Sequence, residues 1–129
     1  MKYEELSELV VKWGEDKGIF AKSTPLRQLD KTQEELDETK LALTKIANLN
    51  NSLADQSLFP ELIKEKDNSA DLYDSYVAEV KDGIGDMLVT IILLAKMVDM
   101  DSVDCLQEAY DVIKKRTGKM VNGQFVKDK

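Results

Sequence analysis

The sequence predicts an all-α protein with a four-helix-bundle-like core and a short C-terminal hairpin. Apolar residues recur at helical spacing along most of the chain. Aromatic residues make up only 6% of the chain and there are two prolines, a composition that favours helices over packed strands. The length of 129 residues suits one domain, and we expect that domain to cover residues 1–129.

Two helices are predicted in the first part of the chain. The first runs from about Tyr3 to Asp16, and Gly14 and Gly18 mark its end. Residues 19–25 are predicted to form a loop. Within it, Thr24 is predicted to cap a second helix, which runs from Pro25 to about Leu49. The apolar positions that define these helices are Leu6, Leu9, Val10 and Trp13 in the first, and Leu29, Leu36, Leu43 and Ile46 in the second.

The third predicted helix runs from about Asp71 to Val98. The preceding segment, 50–69, is rich in turn residues, and a short helix starting at Pro60 is one interpretation of it. At roughly 100° per residue, helix three has apolar stripes on two opposite sides. The stripe expected to be buried is Val77, Val80, Ile84, Leu88, Ile91 and Ala95, and the opposite one is Val89, Leu93 and Met97. One bundle covers only one side of such a helix, so the second stripe predicts a homodimer or homotetramer.

A fourth helix and a hairpin complete the predicted fold. The helix is capped by Asp101 or Ser102 and ends near Lys115. Its inward positions are Val103, Leu106, Tyr110 and Ile113. The Asn122-Gly123 pair stands between apolar flanks, which is a strong hairpin signal.

The composition excludes several classes of function. The formal net charge of −7 argues against a partner that is a nucleic-acid polymer, because binding to phosphates depends on Lys and Arg. The chain has no histidine and one cysteine, Cys105, which excludes histidine-based catalysis, disulfides within the chain and an ordinary zinc site. The N-terminus is unlike a signal peptide, and the longest apolar run, 87–95, is too short to span a membrane. We therefore expect a cytoplasmic protein that acts through carboxylates, lysines or a hard metal ion.

Carboxylates on two helices form the candidate site. Glu79, Asp82 and Asp86 share one face of helix three, at the edge of its apolar part. In helix two, Glu35 and Glu38 share a face, to which other polar residues are close: Gln28, Lys31 and Glu34. Carboxylates from both helices, packed together, would hold one or two Mg²⁺ ions, and Mg²⁺ would bind a triphosphate and activate a water molecule.

A purely structural interpretation of these residues stays open. Lys31 and Glu35 have the spacing of an ordinary surface ion pair on a helix. Gly83 and Gly85 flank the acids in an otherwise strong helix, where each glycine costs about 1 kcal/mol relative to alanine. Close packing between helices explains such glycines without a metal.

Four segments together resemble the MazG-like nucleotide pyrophosphohydrolases, in the small single-domain form common in phages and bacteria. The segments are VKWGEDKGI (11–19), KTQEELDE (31–38), EVKDGIGDMLVTIILLA (79–95) and AYDVIKKRTGKMVNGQFVK (109–127). The resemblance covers most of the chain except residues 44–75. It implies a helical bundle that forms dimers or tetramers. It also implies Mg²⁺-dependent hydrolysis of a nucleoside triphosphate to the monophosphate and pyrophosphate, with Mn²⁺ as a substitute metal.

The family pattern is EExxE on one helix and ExxD on the next. Glu34, Glu35 and Glu38 match the first part, which implies a catalytic role for them, and Asp86 matches the aspartate of the second. Gly83 stands where the family has an acid, so this position departs from the pattern. Asp82, one residue earlier, or Glu79, one turn upstream, is expected to complete the metal site.

Further residues are candidates for substrate binding. Lys115, Arg116 and Lys119 concentrate positive charge near the C-terminus, where they could contact substrate phosphates, also across a subunit boundary, or simply complement the end of the helix. Trp13 could stack on a base or belong to the core. Gln28 and Lys31 could touch phosphate, and Lys31 could equally balance the acids.

Two other classes of function fit the composition. A non-catalytic acidic protein could mimic nucleic acid or bind a basic partner, in which case its carboxylates would be spread outward. The second class is a helical dimer whose catalytic site is vestigial, which Gly83 keeps open because it interrupts the family pattern. An enzyme instead requires the carboxylates to converge.

Overall fold

The structure, a computed structural model, describes residues 1–56 and 65–129, and its side chains are described for 1–50 and 70–129. Most of the described residues are helical, with a short antiparallel hairpin at the end. The elements are α1 (Tyr3–Asp16), α2 (Ile19–Lys22), α3 (Pro25–Gln56), α4 (Glu65–Met97), α5 (Ser102–Ile113), β1 (Gly118–Val121) and β2 (Gln124–Lys127). The prediction of a mainly helical protein with a C-terminal hairpin is confirmed.

The N-terminal region differs from the prediction in one respect. The predicted bounds of α1 are confirmed, but the predicted loop contains the single helical turn α2. Gly18 has a positive φ of 78°, which reverses the chain direction, and its carbonyl then accepts a bond of 3.1 Å from the Lys22 amide. The Thr24 hydroxyl accepts a bond from the Arg27 amide at 3.2 Å, so the predicted cap of α3 is confirmed.

The two long helices extend beyond their predicted bounds. Helix α3 continues to Gln56 rather than ending near Leu49, and α4 begins at Glu65 rather than near Asp71. Turn-forming residues such as Asn50 did not stop α3, because their helix propensities are only some tenths of a kcal/mol worse than alanine's. The short helix proposed at Pro60 lies outside the described residues.

Helices α3 and α4 form an antiparallel helical hairpin, the largest contact in the fold. The Gln28 amide nitrogen donates to the Thr90 carbonyl oxygen at 3.3 Å, and the Thr32 hydroxyl donates to the Thr90 hydroxyl at 2.8 Å. At the other end of the contact, the Lys45 ammonium lies 3.6 Å from a Glu79 carboxylate oxygen. Buried hydroxyl and amide groups are thus hydrogen-bonded across the contact, as burial requires.

Helix α1 packs against the C-terminal half of α4. A Cβ added at Gly14 would lie 2.6 Å from a Leu93 methyl, so only glycine allows this approach. Leu93 is 2% exposed and is the largest fully buried side chain among the described residues. The Ser7 and Ser102 hydroxyls, both buried, are 3.3 Å apart and tie α1 to the start of α5.

The structure reverses the prediction of which side of α4 is covered. The stripe that contains Leu93 was expected to face a second subunit, but Leu93 lies in the chain's own core. The stripe expected to be buried is largely exposed, with Ile84 at 49% and Leu88 at 42%. Both stripes are apolar in the sequence. The contact with α1, which Gly14 permits, determines which of the two stripes is buried.

An apolar face therefore runs along one side of the α3–α4 hairpin. Its members are each 42–52% exposed and come from both helices at multiples of about a heptad. We define the apolar face as Leu29, Leu36, Leu43, Val77, Ile84, Leu88 and Ile91. In contrast, only four apolar residues are buried among those whose side chains are described, namely Ala42, Ile92, Leu93 and Ala95.

The prediction that the fourth helix packs inward is also wrong. Leu106, Tyr110 and Ile113 are 63%, 54% and 52% exposed, and α5 ends at Ile113 rather than near Lys115. The predicted cap is confirmed, since the Asp101 carboxylate accepts from the Val103 amide at 2.8 Å. Residues 102–129, which we call the C-terminal arm, extend from the helical hairpin, so the described helices of one chain do not close a four-helix bundle.

The terminal hairpin forms as predicted. Strands β1 and β2 pair with Val121 opposite Gln124, and Asn122 and Gly123 make the turn with φ values of 51° and 80°. Positive φ at both turn residues is what a two-residue turn of this hand needs. Among the described helices, none is long and apolar enough to cross a membrane.

Candidate functional site

Acidic residues of α3 and α4 meet on the side of the helical hairpin opposite the apolar face. Successive residues of a helix are about 100° apart around its axis. On α3, this spacing places Glu34 and Glu38 to one side of the surface that contacts α4, and Leu36 to the other side. On α4, Asp86 flanks the same side as Glu38. Glu35 lies between the helices, where the negative charges of Glu38 and Asp86 both raise the pKa of its carboxyl. We call Glu34, Glu35, Glu38 and Asp86 the acidic cluster.

Glu35 is the member of this cluster that is most removed from water. Only 8% of the residue is exposed. Burial raises the pKa of its carboxyl above the ordinary value, and the negative charges of Glu38 and Asp86 raise it further. The Lys31 ammonium, 3.6 Å from the Glu35 carboxylate, opposes this effect without cancelling it.

Lys31 is bound to the acids on its own helix. Its ammonium lies 3.2 Å from a Glu34 carboxylate oxygen and 3.6 Å from Glu35. The hydrogen bond with Glu34 is the largest cause that raises the pKa of Lys31. This geometry favours the charge-balancing role for Lys31, and contact with a substrate phosphate stays a prediction.

The acidic cluster carries uncompensated negative charge. Among the described side chains, Lys31 is the one cation in an ion pair with the cluster, and neither Glu38 nor Asp86 has an ion-pair partner. One positive charge thus faces four carboxylates. Neighbouring like charges on helices are destabilising, so a cation would relieve this arrangement.

Either Glu79 or Asp82 was expected to complete the site, and the structure places these two acids in different surroundings. Glu79 pairs with Lys45 at 3.6 Å, and the same ammonium lies 5.4 Å from the centre of the Tyr76 ring. Glu79 is therefore already neutralised, and it lies about two helical turns from Asp86 along α4. Asp82 is exposed and lies about one helical turn before Asp86 along α4. Its side chain can therefore turn towards the acidic cluster.

Gly83, which replaces an acid of the family pattern, lies directly against α3. It is buried, and a Cβ at this position would overlap the Thr39 hydroxyl oxygen. Close packing of the two helices thus accounts for Gly83. A Cβ at Gly85 would meet nothing within 4 Å, and we find no packing reason for that glycine.

The donor chemistry of the cluster suits Mg²⁺, but its side chains do not form a ligand set as they stand. Among the described side chains, no group of three His, Cys, Asp or Glu is arranged to hold a metal ion. Glu35, Glu38 and Asp86 nevertheless offer carboxylate oxygens with excess negative charge, which is what a hard cation prefers. Glu38 and Asp86 are exposed, so their side chains can rotate towards Glu35.

The other predicted substrate contacts lie in different surroundings. Gln28 is 6% exposed and its amide nitrogen bonds to Thr90, so it holds α3 and α4 together. Trp13 is 47% exposed on α1. Lys115, Arg116 and Lys119 are exposed on the C-terminal arm, and no ion pair described in the structure joins them to the acidic cluster.

Sequence reasoning did not identify the threonine hydroxyls that order the contact beneath the acids. Thr90 donates to the Met87 carbonyl at 2.7 Å while accepting from Thr32, and Thr39 donates to the Glu35 carbonyl at 2.8 Å. The spacing of seven between Thr32 and Thr39, on the same face as Glu35, was the signal available. These bonds fix the part of α3 that carries Glu35.

No family model matches the chain, and comparison with curated proteins and with solved structures gave no match. The resemblance described for the sequence therefore depends on its four segments alone.

Proposed function

We propose that this protein is a Mg²⁺-dependent nucleoside triphosphate pyrophosphohydrolase of the MazG-like type, which converts an NTP or dNTP to the monophosphate and pyrophosphate. The observation that carries the proposal is the convergence of Glu35, Glu38 and Asp86 from two helices with little compensating charge. Nucleoside triphosphates are cytoplasmic, and we place the protein in the cytoplasm of a bacterium or a phage-infected bacterial cell.

In this proposal, Glu35, Glu38 and Asp86 hold the metal, with Asp82 as the fourth carboxylate within reach. Mg²⁺ would supply charge neutralisation for the triphosphate and a more acidic bound water. The water oxygen attacks the α-phosphorus, the bond to the bridging oxygen breaks, and pyrophosphate leaves. Glu35 is the most buried of these acids, so we assign one of its carboxylate oxygens to the metal and the other to accept the proton of the water.

Glu34 and Lys31 support the site from its edge. Glu34 is bonded to Lys31, which in turn lies beside Glu35, so the pair sets the charge next to the proposed base. Without Lys31, the burial and repulsion that raise the pKa of Glu35 would be unopposed. We therefore assign Glu34 and Lys31 a positioning role, and leave contact with the substrate to the exposed cations.

We also propose that the chain works as a homodimer or homotetramer. The apolar face contains seven side chains that are 42–52% exposed, which is a larger contiguous patch than soluble monomers usually carry. Pairing this face with its copy about a two-fold axis would place four long helices together, two from each subunit, with heptad spacing across the contact. This contact between the apolar faces would then lie opposite the acidic cluster and would not itself cover either cluster.

The direct test is incubation with a panel of NTPs and dNTPs with and without Mg²⁺, with detection of both monophosphate and pyrophosphate. We expect both products in equal amounts and only with metal. Asp37→Asn is the matched control for variants of the cluster, because Asp37 is an exposed acid of the same helix, bonded instead to Gln33 at 2.9 Å. Release of inorganic phosphate instead of pyrophosphate would contradict the proposed reaction.

The non-catalytic acidic protein is the second candidate, and one observation weighs against it. A protein that mimics nucleic acid needs its carboxylates on the outside, whereas Glu35 is buried between two helices with a raised pKa. Burying an acid in this way costs stability and gives no contact with a basic partner. A complete lack of turnover together with tight binding of a basic protein would favour this second candidate.

A further inference from the structure

The C-terminal arm leaves the rest of the chain in a fixed direction. Asp99 has a φ of 59°, and the Met100 amide donates to the Ala95 carbonyl at 2.8 Å, which closes the end of α4. The Ser102 hydroxyl is buried against Ser7, and the Asp101 carboxylate caps α5. The arm is therefore anchored at its start while the rest of it is exposed.

The arm ends in a segment whose charge is opposite to that of the rest of the chain. Residues 114–129 contain six Lys or Arg and one Asp, a net charge of +5, whereas residues 1–113 contain twelve Lys or Arg and twenty-four Asp or Glu, a net charge of −12. Lys114 is paired with Asp111 at 3.0 Å on the arm itself. Arg116 and Lys119 have no ion pair among the described residues, so their charge is available.

The helical part of the arm also carries an unpartnered apolar side. Leu106, Tyr110 and Ile113 lie within two turns of α5 and are each more than half exposed. An amphipathic helix with this spacing normally packs against another element. The hairpin adds Met120 at 65% and Phe125 at 52% exposure. The arm thus combines an apolar surface with a basic end, and neither is covered by the described residues of its own chain.

We propose that the arm of one copy docks on the helical hairpin of a second copy, so that Arg116 and Lys119 lie over the second copy's acidic cluster. The second copy is the occupant that the charges favour, because it presents four carboxylates with one compensating lysine. Reciprocal docking covers two arms in one closed dimer. In the proposed reaction, which this inference extends, the partner's cations bind the substrate phosphates that Mg²⁺ does not.

Cross-linking between differently labelled copies tests the docking without requiring activity. Both variants carry Cys105→Ser, which removes the single native cysteine. One adds Lys119→Cys and the other Glu34→Cys, and the two are co-expressed with different tags and treated with a short bis-maleimide. We expect a covalent pair that carries both tags. Asp37→Cys, on another side of α3, is the control position and should give at least tenfold less product.

Complementation tests whether the docked arm belongs to the site. Asp86→Asn should inactivate the acidic cluster and Arg116→Ala with Lys119→Ala should inactivate the arm, each leaving the other half intact. Random pairing of the two variants makes half of the dimers mixed, and each mixed dimer has one intact site. Co-expression should therefore recover about a quarter of the wild-type activity.

The two experiments separate failure of the docking from failure of the proposed function. Absence of the two-tag product, or an equal yield with Asp37→Cys in place of Glu34→Cys, would overturn the docking. If the cysteine variants form the cross-link but the wild-type protein hydrolyses no nucleotide, the proposed function alone would be overturned. Full activity of the arm variant, or no recovery on mixing, would overturn the shared site.

Discussion

Gly83 of α4 lies so close to Thr39 of α3 that a Cβ at position 83 would overlap the Thr39 hydroxyl oxygen. Thr39 is 5% exposed, and its hydroxyl is held by the Glu35 carbonyl at 2.8 Å. The two long helices are therefore in close contact at Thr39, about one turn from Glu35 along α3. A side chain at position 83 would displace the Thr39 hydroxyl from the Glu35 carbonyl and press on the Thr39 Cβ, which gives a physical reason for a glycine rather than an acid at this position.

The first prediction follows from this contact. Gly83→Ala should lower the free energy of unfolding by about 1–3 kcal/mol, because overpacking outweighs the gain in helix propensity of about 1 kcal/mol. Gly85→Ala is the matched control, since a Cβ there meets nothing within 4 Å, and it should be stabilising. Denaturant unfolding of both variants measures the difference. Adding Thr39→Ala to Gly83→Ala should recover stability, and no recovery would contradict the contact.

The second prediction concerns the acidic cluster and turnover. Asp86→Asn and Glu38→Gln keep the shape of the side chain but remove the charge that a metal ligand needs. Each should lower kcat/KM more than about 100-fold, which corresponds to about 2.7 kcal/mol of transition-state stabilisation. The circular dichroism spectrum should be unchanged, because both residues are exposed. Undiminished activity in Asp86→Asn would remove it from the site, and Asp37→Asn should retain full activity.

The third prediction concerns metal and stability. A metal that binds only the folded protein stabilises it by RT ln(1 + [L]/Kd), about 2.7 kcal/mol at a hundredfold excess over Kd. The melting temperature should therefore rise with millimolar Mg²⁺ or Mn²⁺, and chelation should reverse the rise. Glu35→Gln should abolish the effect, while Gln33→Glu, which adds an exposed acid on the same helix, should not. A melting temperature indifferent to both metals would favour the non-catalytic acidic protein.

The fourth prediction concerns pH in the absence of metal. Burial, together with Glu38 and Asp86, raises the pKa of Glu35, so the folded state binds a proton more tightly than the unfolded state. The contribution of Glu35 to the free energy of unfolding should therefore fall as pH rises from the ordinary pKa of 4.5 through the raised pKa. Glu35→Gln should be more stable than the wild type at pH 7 without metal, and this difference should vanish below pH 4. Thermal unfolding across this range measures it, and a wild type more stable than the variant at pH 7 would contradict the assignment.

The sequence predicted the elements better than their packing. Helical spacing, the Thr24 and Asp101 caps and the Asn122-Gly123 turn are local signals, and the structure confirms them. Which stripe of α4 is buried depends on α1, which is distant in sequence, so the pattern around Leu93 could not decide it. The spacing of Glu35 and Glu38 placed both acids correctly on one side of α3, whereas the pairing of Glu79 with Lys45 depends on the register of two helices. Register between helices is not visible in a single pattern of apolar residues.

The last prediction concerns the interface between subunits, and the packing of Leu93 changes how it must be tested. A charge at Leu93 would enter the chain's own core, where only 2% of the residue is exposed, so Leu93→Glu should unfold the chain rather than separate subunits. Ile84, at 49% exposure, belongs to the apolar face, and Ile84→Glu should leave each chain folded while breaking the assembly.

Light scattering with circular dichroism distinguishes these outcomes. The wild type should have at least twice the mass of a 14.6 kDa chain, and Ile84→Glu should have the mass of one chain with an unchanged helical spectrum. Gln33→Glu, an equal change of charge at an exposed position of α3 outside the apolar face, should stay assembled. If the partner's arm completes the site, the monomeric Ile84→Glu should also lose activity, although Ile84 lies on the side of the hairpin opposite Asp86. An Ile84→Glu protein that remains assembled would place the interface elsewhere, and a fully active wild-type monomer would contradict both the assembly and the shared site.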